Sequence, residues 1–197
     1  MTVKNYIVKQ VNRNDIKDFI ETWHYSKSIN GVMGTFYFAL YDKDSLIGAM
    51  IYGNLGMANA WKKYADEPQK VLELRRLCCI DDTPKNTESF FIGKTLRMLK
   101  QIDKQLEVIV SYADTNYNHT GIIYKASNFK YLGKTAKGKV IIRKSDNKIY
   151  HDKAIRTKYK GQLKPFAKKL KEQLENGEAY YKETQGKNIY LYNLKSR

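Results

Sequence analysis

The stretch LEVIVSYADTNYNHTGIIYKASNFKYLG, Leu106–Gly133, carries most of the information about how this chain folds. Its first residues are nearly all apolar and predict a buried strand that ends at Asp114. A short helix is predicted over Thr120–Ser127 and another strand over Phe129–Leu132. Ligands of open α/β sheets bind beyond the carboxyl ends of the strands, so a site is expected at Asp114.

Strands and helices also alternate before this stretch. The first predicted elements are a strand over Val3–Val11 and a helix that is capped by Asn14 or Asp15, packs Trp23 inward and ends at His24. A hairpin in GTFYFALYDKDSLIGAMIYG, a strand in VLELRRLCCI and a helix over residues 88–103 follow in that order. This order predicts an α/β fold, in which a mixed sheet is covered by helices on both faces.

The chain is strongly basic, with 36 Lys and Arg against 20 Asp and Glu and a formal net charge of +16. Fourteen of these bases and four of the acids fall within residues 134–175. Such an excess indicates a polyanionic partner, and we predict nucleic acid; a solvated lysine face is the alternative. The 16 tyrosines suit stacking on bases, although the codon usage of an AT-rich genome explains that number equally well.

The length of 197 residues fits one compact domain. We predict a catalytic core over residues 1–135 and a basic C-terminal segment over 136–197, which completes the sheet with the strand NIYLYNL and contacts nucleic acid. The side chains predicted to bind phosphates are Lys134, Lys137, Lys139, Arg143, Lys144, Arg156, Lys158 and Lys160. No apolar run approaches the length of a membrane span, so we expect an intracellular protein without a membrane partner.

Candidate chemistry centres on Asp114, since a carboxylate at the end of an apolar strand can accept a proton or orient an amine. The alternative is a cap for a helix beginning near Asn118. Arg75 and Arg76 are adjacent on the preceding strand, so alternation predicts that at most one enters the site. His24, at a helix end, is either functional or structural. The chain contains no P-loop, GxGxxG, nucleophile elbow or HExxH motif.

The order of elements resembles the GNAT acyltransferase fold, whose two central strands splay apart to admit the donor. Tyr124, five residues before Phe129, matches the position of the tyrosine that many GNAT enzymes use as general acid. The resemblance therefore implies a GNAT-like mixed sheet with splayed strands, and a proton-donating role for Tyr124.

A more specific resemblance comes from five motifs: WHYSK (23–27), ELRRL (73–77), TPKNTES (83–89), SYAD (111–114) and HTGIIYKASNFKYLGKT (119–135). Together they are similar to the Mom family of phage proteins, which convert adenine in DNA to carbamoylmethyl (acetamido) adenine and so protect it from host restriction enzymes. The resemblance implies double-stranded DNA as partner, and the cytoplasm of the infected bacterium as location. The functional residues it implies are His24, Tyr25, Arg76, Ser89, Asp114 and Tyr124.

The acyl donor is open between acetyl-CoA and a glycyl group on transfer RNA. GNAT enzymes usually hold the pyrophosphate of acetyl-CoA in a [QR]xxGx[GA] loop, whereas the matching TPKNTESF has no glycine before Gly93. Glycine supplies both the two carbons and the nitrogen of the modification. The family resemblance also brings iron as a candidate, with His24 and Asp114 as its ligands.

The resemblance further implies a flipped adenine, and the aromatic residues predicted to hold it are Tyr25, Trp61, Tyr112 and Tyr117. Two other functions are weighed against this one. The first is an acetyl-CoA-dependent N-acetyltransferase, and the second is a DNA-binding protein without enzymatic activity.

Overall fold

The computed structural model describes residues 5–117 and 119–195. The start of the strand predicted from Val3, and Asn118, therefore lie outside the described residues. The chain divides into a larger unit, within residues 1–133 and 188–197, and a smaller unit of residues 134–187. No helix in the described ranges is long and apolar enough to cross a membrane.

The larger unit contains most of the predicted elements. In chain order they are β1 (Ile7–Val11), α1 (Arg13–Trp23), β2 (Phe36–Asp42), β3 (Ser45–Gly53), β4 (Val71–Cys79), α2 (Thr87–Ile102), β5 (Val108–Ala113), α3 (Ile122–Ala126) and β6 (Lys130–Lys134). The chain then forms β7 (Gly138–Arg143), β8 (Ile149–His151), β9 (Lys158–Tyr159), β10 (Gln162–Leu163), α4 (Pro165–Glu175), β11 (Ala179–Thr184) and β12 (Asn188–Asn193). The predicted order of strands and helices up to β6 is confirmed.

The central sheet has the order β1-β2-β3-β4-β5-β12-β6. Its main core lies between the sheet and α2, where Phe91, Ile92 and Leu96 pack against strand residues such as Ile109 and Tyr190. A second cluster, built on Ile16 and Ile20, packs α1 against the opposite face. The predicted α/β fold with helices on both faces is confirmed, and the last predicted strand is β12, which pairs with β5.

Two central strands part in the middle of the sheet. β4 and β5 run parallel and pair from Val71 with Val108 up to Leu74 with Ser111. β4 continues to Cys79 and β5 to Ala113, but in the described residues their ladder ends at Leu74 and Ser111. The predicted splay is therefore present, and the ends of both strands are available to form a site.

A β-bulge in β4 changes the direction of its side chains. Ile51 pairs with Arg76 and Tyr52 with Leu74, which leaves Arg75 as an extra residue. Leu74 and Leu77 both pack on the α2 side of the sheet, three residues apart. Arg75 and Arg76 therefore both face the other side. The prediction that alternation sends them to opposite faces was wrong, because the bulge shifts the pattern by one residue.

Two details of α1 differ from the prediction. The helix begins after Asn12, whose backbone N–H donates to the Asp15 carboxylate at 2.8 Å, so neither Asn14 nor Asp15 is the capping residue. Trp23, predicted to pack inward, is 45% exposed at the last turn of the helix.

The smaller unit is a three-stranded antiparallel sheet of order β11-β7-β8 with α4 and a β9–β10 hairpin. Its core is formed by Ile141, Leu170 and Ala179. The predicted strand pair of KVIIRK and KIYHDK is confirmed as β7 and β8, and the predicted basic helix is α4. β11 was missed because its side chains after Ala179 are mostly exposed and lack an apolar alternation.

Candidate active site

A cavity of about 410 Å³ lies in the larger unit, lined by residues from the end of α1, the second half of β4, the end of β5 and the start of α3. Five of the six predicted catalytic residues line it: His24, Tyr25, Arg76, Asp114 and Tyr124. Ser89 lines a second cavity of about 320 Å³ at the start of α2, where its hydroxyl donates to the Asn86 carbonyl at 3.0 Å. The two cavities share wall residues, including Cys79 and Glu88.

His24 is a buried residue that follows α1, and its backbone N–H donates to the Ile20 carbonyl. Its Nδ1 accepts the backbone N–H of Ser26 at 3.1 Å and lies 2.8 Å from the Ser26 hydroxyl. Burial, with smaller contributions from nearby Arg76 and His119, lowers the pKa of His24 to about 3. The imidazole is therefore neutral at physiological pH.

Aromatic rings stack beside the cavity around Tyr25. The ring of Tyr25 lies 4.2 Å from that of His24, 4.6 Å from Tyr117 and 4.8 Å from His119, measured between centroids. Tyr25 and Tyr117 are 42% and 50% exposed, so part of this aromatic surface remains accessible to a planar ligand.

The other two aromatic residues predicted to hold a base differ in position. Tyr112 lines the cavity, and its hydroxyl lies 3.2 Å from that of Tyr64. Trp61 packs instead against a cluster built on Val71 and Val110. The structure thus brings Tyr25, Tyr112 and Tyr117 toward the cavity, and places Trp61 in a hydrophobic cluster.

Arg75 and Arg76 both line the cavity. Arg75 donates through Nη1 to the Asn54 carbonyl at 2.6 Å, and Arg76 donates through Nη1 to the Arg75 carbonyl at 2.8 Å. The Nε of each arginine is buried and has no hydrogen-bond acceptor among the described residues. Burial lowers the pKa of Arg76, whereas the nearby phenol of Tyr25 acts in the opposite direction. The wall of β4 is therefore rich in hydrogen-bond donors.

Asp114 lies at the rim of the same cavity, directly after β5. Its Oδ1 accepts from the backbone N–H of Asn116 at 3.1 Å and from the side-chain amide of Asn116 at 2.8 Å. The carboxylate thus orders the turn over Thr115–Tyr117 that follows it. Asp114 does not cap the next α-helix, since α3 begins at Ile122 after Gly121. It orders the turn before that helix and also lines the cavity.

Tyr124 enters the cavity from α3. Its ring packs between Phe129 at 5.6 Å and Tyr190 at 5.3 Å. Burial raises the pKa of Tyr124 to about 12, and a hydrogen bond with Ser111 opposes this effect. The phenol is therefore protonated at neutral pH and able to donate a proton.

Iron does not fit the residues that the resemblance implied. Within residues 5–117 and 119–195, no three His, Cys, Asp or Glu side chains are grouped to hold a metal ion. His24 and Asp114 would supply two ligands, and the Nδ1 of His24 already accepts a hydrogen bond.

The second cavity is a poor fit for a diphosphate. It is lined by Asp81 and Glu88 as well as Lys85, so carboxylates outnumber ammonium groups on its walls. The loop also lacks the glycines that let backbone amides approach phosphate groups closely, since its residues run from Pro84 to Ser89 without one.

Three residues that contribute to the first cavity were missed as site residues. Arg75 was missed because of the bulge described above. His119, not singled out as a site residue from the sequence, lines the cavity and stacks on Tyr25. Glu88 stands at the second position of α2 and lines both cavities. The sequence signal that could have identified His119 is that it lies in the same loop as Asp114.

The predicted phosphate-binding residues lie on β6 and in the smaller unit, which holds 16 Lys and Arg against six Asp and Glu within residues 134–187. Arg143 is paired with Asp146 at 2.8 Å and Arg156 with Asp152 at 2.9 Å. Lys134, Lys137, Lys139, Lys144, Lys158 and Lys160 are all exposed. The lysines are thus better placed than the two arginines to meet a polyanion.

The Mom protein family model matches residues 5–197 of the chain. A curated relative, methylcarbamoylase mom of Escherichia phage Mu, is 28% identical over 120 residues, which cover 59% of this chain and 49% of the relative. The aligned stretch thus spans about half of the relative's length.

Several similar solved structures are acetyltransferases. An N-acetyltransferase from Staphylococcus aureus Mu50 has a TM-score of 0.51 and 12% identity, covering 98% of this chain and 100% of the other. The putative acetyltransferase yncA from Salmonella typhimurium, with its cofactor acetyl-CoA, has a TM-score of 0.54 and 6% identity, covering 98% and 96%. These structures show the fold, and the predicted GNAT-like architecture is confirmed.

Proposed function

The chain belongs to the Mom protein family, and from this premise we propose that it is a transferase that modifies adenine in double-stranded DNA, converting it to carbamoylmethyl adenine. The observation that supports this most is the convergence of five family-implied residues on one cavity at the splay of a GNAT-like sheet. The reaction protects the DNA from restriction enzymes and takes place in the cytoplasm of a phage-infected bacterium.

The donor we propose is a glycyl ester, such as glycyl-tRNA. The modification contains an N–CH2–CO–NH2 group, and glycine supplies both its carbons and one nitrogen. The two carboxylates in the walls of the second cavity disfavour the diphosphate of acetyl-CoA. A glycyl ester brings no diphosphate next to the reacting carbonyl.

In the first step the exocyclic amine of adenine attacks the ester carbonyl. A C–N bond forms, the C–O bond to the ribose breaks, and the products are an amide and a free ribose hydroxyl. Asp114, at the rim of the cavity, takes the proton that the amine loses. Tyr124, whose pKa is raised to about 12 by burial, is protonated at neutral pH and donates a proton to the leaving ribose oxygen.

In the second step the glycyl amine attacks C6 of the purine through a five-membered ring. The original C6–N bond then breaks, and that nitrogen leaves as the carboxamide of the product. Atoms and electrons balance without an oxidant, a reductant or a second nitrogen donor. The cavity of about 410 Å³ has room for a purine and a two-carbon unit.

Adenine in a duplex must be flipped to reach the cavity, at a cost of a few kcal/mol. The half-exposed rings of Tyr25 and Tyr117 supply a stacking surface for the flipped base. The exposed lysines of the smaller unit supply contacts to the phosphates, and these contacts explain its charge excess.

Isotope-labelled glycine tests both the reaction and the donor. Cells that express the wild type are grown on labelled glycine, and the nucleosides of their DNA are measured by mass spectrometry. Because glycine also enters the purine ring, unmodified adenine from the same DNA is the reference; we expect the modified adenine to carry, beyond it, two labelled carbons and one labelled nitrogen. Asp114→Asn should abolish it, whereas Asp18→Asn, at a carboxylate that is 95% exposed on α1, should leave it intact.

The possible outcomes separate the proposals. Modified adenine with no more label than the unmodified adenine of the same DNA would refute the glycyl donor while leaving the DNA reaction in place. DNA without any modified adenine, together with binding of CoA, would favour an acetyl-CoA-dependent N-acetyltransferase, the activity class of the solved acetyltransferases. Full modification by Asp114→Asn would refute the role of that carboxylate.

A further inference from the structure

Two buried N–H groups beside the cavity lack acceptors. The Nε atoms of Arg75 and Arg76 are both buried, and neither has a hydrogen-bond partner among the described residues. A buried donor without an acceptor costs about 1–3 kcal/mol. Both arginines line the cavity, so two guanidinium charges stand beside it and favour a ligand with an acceptor or a negative charge.

A third donor is supplied by His24, and its tautomer follows from its hydrogen bonds. The backbone N–H of Ser26 can only donate, and its 3.1 Å contact with the Nδ1 of His24 calls for a lone pair on that atom. The Ser26 hydroxyl lies 2.8 Å from the same Nδ1 and 3.2 Å from the Ser28 carbonyl, so in this arrangement its one proton goes to Nδ1. The proton of the neutral ring is therefore on Nε2. Since Ser26 occupies the Nδ1 edge, the opposite edge of the ring, with Nε2–H, is left for the cavity that His24 lines.

We propose that the Nε2–H of His24 and the guanidinium of Arg76 together form the oxyanion site of the acyl-transfer step. This inference rests on the proposed function and assigns the stabilising groups within it. Both residues line the cavity, and the ring of Tyr25 stacks on His24 with 4.2 Å between the ring centroids. A neutral imidazole next to a guanidinium avoids the repulsion of two cations and still presents two donors.

The chemistry requires such a site. When the adenine amine attacks the glycyl carbonyl, the two electrons of the C=O π bond move to the oxygen, which becomes negative. They return when the C–O bond to the ribose breaks. Donors aimed at this oxygen lower the barrier in proportion to the charge that develops there. Ser26 is then a positioning residue, since its backbone N–H fixes the tautomer of His24.

The tautomer can be measured without any assay of activity. The full chain contains three histidines and is labelled with nitrogen-15 in their rings. The signals of His24 are assigned by their loss in His24→Gln. At pH 7 we expect an unprotonated Nδ1 and a protonated Nε2. In Ser26→Ala, which keeps the backbone N–H, we expect the same tautomer.

Two substitutions of His24 form a matched pair for the kinetic test. The amide nitrogen of Gln reaches the position of Nε2, whereas that of Asn reaches the position of Nδ1. In single-turnover transfer from a glycyl-tRNA to duplex DNA, His24→Asn should be about 10²–10³ slower than the wild type, and His24→Gln should retain most of the rate. Arg76→Lys, which loses Nε–H and keeps the charge, should also be slowed.

Each result has a distinct meaning. A proton on Nδ1, or equal rates for His24→Asn and His24→Gln, would overturn the oxyanion site. A wild type that transfers no glycyl group to DNA would overturn the proposed function instead. Urea titration of both variants verifies that they fold, so a low rate in one of them is not a loss of structure.

Discussion

Replacing Gly121 perturbs the packing around the cavity most directly. This residue precedes α3 with φ at +85°, and a Cβ there would lie 2.2 Å from Cε2 and 2.5 Å from Cζ of Tyr190. Tyr190 cannot move aside easily, because its ring is buried, its hydroxyl donates to the Thr120 carbonyl at 2.7 Å and it packs on Tyr124. Gly121→Ala therefore imposes both a strained backbone and an aromatic collision.

Gly31 provides the matched control, since its φ is +71° and none of the described atoms lies within 4 Å of the position that a Cβ would take. We expect Gly31→Ala to lower the free energy of unfolding by about 1 kcal/mol, the cost of a left-handed backbone. Gly121→Ala should lower it by about 2–4 kcal/mol, because overpacking adds about 1–3 kcal/mol. Its transfer rate should also fall, since Tyr190 supports Tyr124.

Urea titration followed by tryptophan fluorescence measures both variants. The chain has two tryptophans, Trp23 and Trp61, and both belong to the larger unit, so the signal reports the unit that contains the substitutions. Equal losses in Gly121→Ala and Gly31→Ala would refute the reasoning, because they would mean that Tyr190 relaxes without cost.

Three further outcomes follow from the structure. Burial lowers the pKa of His24 to about 3, so below pH 6.5 the unfolded chain binds one more proton than the folded chain. Between pH 7 and pH 5 the free energy of unfolding, measured by urea titration, should fall by about 2 kcal/mol more in the wild type than in His24→Gln. Equal decreases would contradict a buried neutral imidazole. Thr95→Val removes the hydroxyl that lies 2.7 Å from the buried phenol of Tyr52, and it should lower the free energy of unfolding by about 1–3 kcal/mol. Adding Tyr52→Phe should restore part of this stability, because the phenol is then no longer left without a partner. Strictly additive losses in the two single variants would argue against this hydrogen bond. Replacing Lys158 and Lys160 with Gln should reduce the slope of log affinity for DNA against log salt by about 0.9 for each phosphate that the variant no longer neutralises, and an unchanged slope would assign phosphate binding to other residues.

Much of the fold could be predicted from local pattern. The apolar strand ending at Asp114 and the hairpin before β4 are continuous signals in the sequence, and both appear where they were expected. The partnership of β12 with β5 was harder, because a pairing between residues 188–193 and 108–113 is set by tertiary contacts. β11 has exposed side chains after Ala179 and gives no alternation to detect.

The sequence predicted most of the residues that form the candidate site, but it did not predict the hydrogen bonds between them. Motif positions placed His24, Arg76 and Asp114 in one group, and the splay of β4 from β5 brings them to one cavity. Sequence gives no sign that the backbone of Ser26 turns back onto His24, because that contact depends on the conformation of the loop. Arg75 was missed because a two-residue alternation of side chains does not reveal where a strand contains an extra, bulged residue.

The bulge at Arg75 also separates the charge of the cavity wall from the packing of the strand. The apolar side chains of β4 before and after the extra residue face the same side of the sheet, since Leu74 and Leu77 pack in one cluster. Deleting Arg75 would remove one guanidinium from the cavity lining and leave a single residue between the two leucines, so ordinary alternation would still hold both on the same face. The number of cationic side chains in this wall is therefore separable from the packing of the strand.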